Sequence, residues 1–311
     1  RYQVSIICSL PNGKTILSEK LPDLNYIELL PNIQQAAKQV RAAQFDLLHY
    51  WEIGTDAMNY FLPFFKAAKY QVTSWGWPVT SGLPHLDAYM SCQYLETPES
   101  DRHYSEPLLR LKRLPIFYAP PPVPTEAAKR SDFGFTDEQN LYFCAQNLRK
   151  IQPDMDSIFA QILSQDARAI IVLIEDKRQA ITDLLKQRLK NNLPAPLFER
   201  IHIVPRMEAE VYLGLVKAAD VMLDSTHYTG GANTNYDAFE AGTPVITLPG
   251  TFHRGRYTTA AYTQMGYTDL IAENPEDFVK KAIQIATDTQ ARAKASAAIQ
   301  AARSEVIDDT Q

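Results

Sequence analysis

Apolar positions along the chain fall into short, largely apolar runs and helically spaced stripes. Runs at 141–145, 169–174, 201–204, 219–223 and 245–248 are bounded by Gly, Pro or charged residues, as buried parallel strands are. Between them, 179–190, 208–217 and 234–241 repeat apolar residues at helical spacing, and Asn233 or Thr234 can cap the last. Strand and helix in alternation predict a Rossmann-like α/β unit. Asn274-Pro275-Glu276-Asp277 offers a cap, a proline at the first helical position and two acids, the start of a further helix. An Ala-rich helix is predicted over 290–306.

The first third has the same grammar. Strands are predicted at 2–10, 26–30 and 45–50, the first stopped by Pro11-Asn12-Gly13. A helix over 32–43 lines up Ile33, Ala36, Ala37, Val40 and Ala43, and another covers 60–69. Segment 71–82 begins as a strand and ends in a loop too rich in Gly, Pro and hydroxyls to continue as one. The run Ala119-Pro120-Pro121-Pro122-Val123-Pro124 cannot join a sheet interior and reads as a semi-rigid spacer. The predicted organisation is α/β with two Rossmann-like domains: 1–118, a Pro-rich linker 119–135, a second domain 136–288, and a C-terminal helix 289–311.

In such sheets ligands meet the carboxyl ends of strands, so the segments following strands carry the candidate chemistry. Between the runs at 219–223 and 245–248 lies Asp224-Ser225-Thr226-His227-Tyr228-Thr229-Gly230-Gly231-Ala232-Asn233-Thr234. A Gly-Gly pair serves a tight turn as readily as a ligand. The density of hydroxyls and amides around it favours a diphosphate held by backbone N–H groups and a helix N-terminus. Lys150 follows the strand at 141–145, where it is either a solvated charge or a partner for that diphosphate. His49, Trp51 and Glu52 end the strand at 45–50, with a core histidine as the alternative, and two tryptophans at 75 and 77 can plug a core rim.

Composition narrows the function. The 311 residues are long for one core, and 45% hydrophobic with 22% charged content is that of an ordinary globular protein. A net charge of −5 argues against nucleic acid or an anionic membrane as principal partner. No apolar run is long enough to span a bilayer. Three scattered cysteines, Cys8, Cys92 and Cys144, read as reduced core thiols and so predict a cytoplasmic setting. The chain opens at Arg1 directly into a strand and is expected to be part of something longer.

Gly230-Gly231-x-Asn233-Thr234-x-Tyr236-Asp237-Ala238 followed by Ala241-Gly242-Thr243-Pro244-Val245-Ile246-Thr247-Leu248-Pro249-Gly250 resembles the donor loop of O-linked N-acetylglucosamine transferases, the family that includes the SPINDLY-like enzymes. Two further segments are similar to that family: Asn147-Leu148-Arg149-Lys150-Ile151-x-Pro153, with asparagine where glutamine is usual, and Gly76-x-Pro78-x-Thr80-Ser81-Gly82. The resemblance implies two Rossmann-like domains facing a cleft, the glycosyltransferase-B arrangement. It implies inverting, metal-independent transfer of a sugar, N-acetylglucosamine from its uridine diphosphate, to a protein Ser or Thr hydroxyl. Lys150 would contact the diphosphate. Asn147, Thr229, Gly230, Gly231, Ala232, Asn233 and Thr234 would line the donor, Met207 and Tyr212 would hold the base, and Asp237 the ribose. Pro78, Thr80, Ser81 and Gly82 would lie on the sugar and acceptor side. Tyr212 stands where animal members have histidine, and Ala232-Asn233-Thr234 where they have His-Thr-Thr. No cofactor, metal, nucleic acid or membrane is expected, and no general base is assigned. The alternatives are fucosyl transfer from a guanosine diphosphate donor, a sugar-nucleotide epimerase, which would need an acid–base pair, and a non-catalytic nucleotide-sugar or protein-binding module.

Overall fold

The computed structural model describes residues 2–9, 13–119, 122–126, 128–231 and 233–309. They divide into two compact units, Arg1–Cys92 with Pro98–Leu111, and Gln93–Thr97 with Lys112–Gln311.

The first unit contains β1 (Ser5–Cys8), α1 (Gly13–Lys20), β2 (Asn25–Glu28), α2 (Ile33–Ala42), β3 (Leu47–Tyr50), α3 (Ala57–Phe61), β4 (Tyr70–Ser74), β5 (Ala88–Cys92) and β6 (Leu108–Leu111). β1 and β2 form a two-stranded parallel sheet, and β3-β4-β5-β6 a four-stranded parallel one. Asn32 caps α2 by accepting the Gln34 and Gln35 N–H groups at 3.0 and 3.1 Å. The helix buries Ala36, Ala37 and Val40, the last two in a core with Leu48, Tyr50, Ile53 and Leu62. The strand predicted over 2–10 is shorter; Leu10, Pro11 and Asn12 lie outside the described residues.

The helix predicted over 60–69 is broken. α3 gives way to a 3-10 turn at Leu62–Phe65, and Lys66 takes a left-handed φ of 43°. Pro63 has no N–H for an α-helical ladder and its ring crowds the preceding turn. The buried side chain of Gln71 then fastens the bend, donating to Pro63 O at 3.0 Å and accepting the Ala67 N–H at 3.0 Å.

The second unit contains β7 (Asn140–Cys144), α4 (Asp154–Gln165), β8 (Ala169–Ile174), α5 (Gln179–Asn192), α6 (Ala195–Phe198), β9 (Ile201–Val204), α7 (Ala209–Ala218), β10 (Val221–Leu223), α8 (Thr234–Ala241), β11 (Val245–Ile246), α9 (Tyr257–Met265), α10 (Pro275–Thr287) and α11 (Thr289–Ala302). Its sheet is parallel throughout, in the order β11-β10-β7-β8-β9. Leu141 to Cys144 and Ala169 to Leu173 are fully buried, the burial on both faces that their unbroken apolar runs require. Asn274 caps α10 by accepting the Asp277 N–H at 2.8 Å. The last predicted helix ends earlier than 306, as a 3-10 turn at Arg303–Glu305. Gln300 donates to the Phe239 carbonyl at 2.9 Å and Arg303 pairs with Glu240 at 2.7 Å, so the C-terminal segment holds the far end of α8.

Candidate active site

β7 and β10 are neighbours, but the chain runs from β7 toward β8 on one side and from β10 toward β11 on the other. Open α/β sheets bind ligands outside the strand carboxyl ends at such a switch point. The loop after β7 carries Asn147 and Lys150, and the loop after β10 carries Asp224 to Asn233.

Lys150 closes a 3-10 turn, Leu148–Lys150, capped by Asn147, whose Oδ1 accepts the Arg149 N–H at 3.1 Å. Its Nζ donates to the Thr229 carbonyl at 2.9 Å and lies 4.3 Å from the centre of the Tyr228 ring. Burial pulls the ammonium below the ordinary lysine range, and the Asp224 charge opposes that pull. Thr229 is itself buried, its N–H donating to Arg254 O at 2.9 Å. Gly231 has a φ of +70°, where a side chain is strained, and a Cβ there would lie 4.0 Å from Lys150 Nζ. Ala232 lies outside the described residues.

Asp224 is 2% exposed. Its Oδ1 accepts the Ser225 and Gly230 N–H groups at 3.0 and 2.8 Å, and its Oδ2 accepts the Thr247 hydroxyl at 2.9 Å. Burial pushes its carboxyl up to about 6. The Gly230 N–H is thus turned inward and is not among the backbone N–H groups open to a diphosphate. A buried carboxylate is a strong acceptor and claims it. Nor does Asp224 face the crevice as a spare acid.

Asn233 occupies the N-cap position of α8, is exposed, and makes no side-chain bond to the helix. In the first turn Asp237 accepts the hydroxyls of both Tyr118 and Tyr212. Burial raises its carboxyl above the ordinary range, against the pull of those two bonds. Tyr212 also bonds Thr234, and its ring meets Phe143 edge-on at 6.3 Å. Met207 is half-buried in the loop after β9, which Glu175 anchors by accepting the Arg206 N–H at 3.1 Å. Asn147 sits on the other flank of β7. It lines a cavity of ≈ 480 Å³ with Arg149, Asp176, Lys177, Arg178 and Arg206.

In the first unit, Pro78 is buried, Thr80 and Ser81 half-buried, and Gly82 exposed. The hydroxyls of Thr80 and Ser81 are turned onto Glu106, the former at 2.6 Å, and the Ser81 N–H reaches it at 2.8 Å. Burial alone would raise the Glu106 carboxyl, but these bonds outweigh it and hold it below its ordinary range. Gly76 admits the loop, since a Cβ there would stand 2.4 Å from the Trp51 carbonyl. His49 is exposed on β3 and pairs with Ser74 at 2.8 Å. Among the described residues no group of three or more His, Cys, Asp and Glu is placed to hold a metal ion, and no helix is long and apolar enough to cross a membrane.

Sequence reasoning passed over Tyr118, the contact of Tyr228 with Lys150, and the fastening roles of Asp224 and Glu106. The only local signal was an acid at a strand end.

Two parallel-sheet α/β units with this switch point define the glycosyltransferase-B fold class, and similar solved structures agree. A Thermobaculum terrenum O-GlcNAc transferase mutant matches with a TM-score of 0.85 and 25% identity over 98% of this chain and 58% of that one. Anabaena Alr3699/HepE in complex with UDP and glucose matches in fold, with a TM-score of 0.59 and 14% identity over 97% of this chain and 87% of that one. The sequence model of glycosyl transferase family 41 covers residues 122–308, and the chain belongs to that family. Among curated relatives, the tomato (Solanum lycopersicum) "probable UDP-N-acetylglucosamine–peptide N-acetylglucosaminyltransferase SPINDLY" is 26% identical over 228 residues, 72% of this chain and 24% of the relative. The chain thus spans about a quarter of the length of the curated relatives it matches.

Proposed function

We propose that this chain is the catalytic region of an inverting, metal-independent glycosyltransferase that moves N-acetylglucosamine from its uridine diphosphate to a protein Ser or Thr hydroxyl. One observation carries the reading: the Lys150 ammonium stands at the β7/β10 switch point, against the Gly-Gly loop that leads into α8. In a direct displacement the acceptor hydroxyl gives its proton to a base as its oxygen bonds to the sugar C1 and the bond from C1 to the β-phosphate oxygen breaks. The electron pair leaves on the nucleoside diphosphate, and a fixed ammonium stabilises the charge that grows there. The Gly231–Thr234 stretch and Asn147 would complete the diphosphate site. Met207 and Tyr212 would hold the base, and Asp237, steadied by two phenols, would accept from the ribose hydroxyls. Pro78, Thr80, Ser81 and Gly82 would form the sugar and acceptor side. The inward, fully engaged carboxylate of Asp224 favours a metal-independent donor site, because that acid has no oxygen to spare for a cation.

The test is transfer of labelled sugar to a Ser/Thr-rich protein in EDTA, with the uridine donor and guanosine diphosphate fucose in parallel. Lys150→Ala should lower kcat by roughly two to three orders of magnitude, as for loss of one preorganised donor. Transfer from the fucose donor alone would reassign the substrate, and undiminished turnover in the variant would remove Lys150 from the mechanism.

A further inference from the structure

We propose that Asp224 is a positioning residue for Lys150, acting through the single peptide group that joins Thr229 to Gly230. The inference rests on the catalytic reading of Lys150. The carbonyl of that peptide accepts the Lys150 ammonium at 2.9 Å, and its N–H donates to Asp224 at 2.8 Å. One peptide dipole therefore lies with its negative end on a cation and its positive end on an anion. A flipped peptide would set carbonyl against carboxylate and N–H against ammonium, so the two charges select one orientation of the loop. They come from the ends of β7 and β10, the two strands of the switch point.

Hydrogen bonding alone does not call for an aspartate. An asparagine oxygen would accept the Ser225 and Gly230 N–H groups, and the two hydrogens of its amide would serve the Thr247 and Thr258 hydroxyls that now bond the carboxylate. What asparagine lacks is the charge. Keeping a carboxylate buried is costly, and Lys150 is the cation that gains from it. Burial pulls the Lys150 ammonium down, with Asp224 opposing. The other titratable groups facing this pair are Tyr228, Tyr262 and Cys144; burial pushes the Tyr262 phenol well up, and the Cys144 thiol up to about 12, so both stay neutral.

Two measurements test the link. In labelled protein, the Gly230 amide proton reports ionisation of Asp224, and its titration midpoint should rise by half a pH unit or more in Lys150→Met. An unchanged midpoint would overturn the coupling, whatever the catalytic result. In Asp224→Asn, the basic limb of the kcat–pH profile should move down by about one pH unit, so that turnover falls about three- to sixfold more at pH 9 than at pH 7. A basic limb at the native position, in an enzyme that Lys150→Ala has disabled, would refute the inference and leave the role of Lys150 standing. Full turnover in Lys150→Ala would instead remove the reading beneath it.

Discussion

Replacing Glu106 by alanine should unfasten the Pro78–Gly82 loop, and the structure sets the size of the effect. The carboxylate is 4% exposed. It accepts the Ser81 N–H at 2.8 Å, the Thr80 hydroxyl at 2.6 Å, the Ser81 hydroxyl, and the Ser105 hydroxyl at 3.1 Å. Hydrogen bonds to a charged group contribute about 1.5–3 kcal/mol each. The Thr80 and Ser105 hydroxyls, already 2.9 Å apart, can satisfy each other after the change. The Ser81 N–H and hydroxyl have no such recourse, which leaves a loss of about 3 kcal/mol.

The pH dependence has a definite sign. Hydrogen bonds hold the folded carboxyl below its ordinary 4.5. Its contribution is therefore present in full above 4.5 and is lost as pH falls through the lower folded value. Urea unfolding followed by tryptophan fluorescence is the assay, because all three tryptophans, Trp51, Trp75 and Trp77, belong to the first unit. The native-minus-variant difference should be flat from pH 8 to 5 and shrink below that. A difference under about 0.5 kcal/mol at pH 7.5, no more than an ordinary surface substitution gives, would refute the reasoning.

Two further changes probe the second unit. Asp156 is 5% exposed and binds Arg188 through Nε at 3.0 Å and Nη2 at 2.9 Å, while Arg188 also donates to Ile151 O at 2.9 Å beside Lys150. Asp156→Ala should cost about 2–3 kcal/mol in thermal or denaturant unfolding, and a cost below about 1 kcal/mol would contradict the role given to the pair. Gly231→Ala, forced into a left-handed φ, should cost about 1 kcal/mol of stability and weaken nucleoside diphosphate binding about tenfold, read by calorimetry; native affinity would exclude the loop from the site.

Much of the second unit was legible in the sequence, because local physics decided it. β8 coincides with an unbroken apolar run and β9 with a run that His202 alone interrupts, and Asn274 caps the helix its position announced. The family and the fold class were legible too, from the Gly-Gly loop and the segment around Lys150. α9 was missed because Tyr257 to Tyr262 are all buried, so no polar face marks a helical period. The break at Lys66 was missed because it depends on Gln71 reaching back to Pro63. The inward turn of Gly230, the grip of Tyr118 on Asp237 and that of Glu106 on Thr80 and Ser81 join residues between 6 and 119 positions apart. Spacing along a chain does not encode such contacts.

The claim that a nucleoside diphosphate binds at the β7/β10 switch point by backbone and Lys150, without metal, is tested most directly by calorimetry of uridine diphosphate. Titrations would be run into native protein and Lys150→Ala, first in excess EDTA and then in millimolar magnesium. The predicted result is binding in EDTA, a change of less than tenfold on adding metal, about 1.4 kcal/mol, and at least tenfold weaker binding in the variant. Absence of binding until magnesium is added, or equal affinity in native protein and Lys150→Ala, would contradict it.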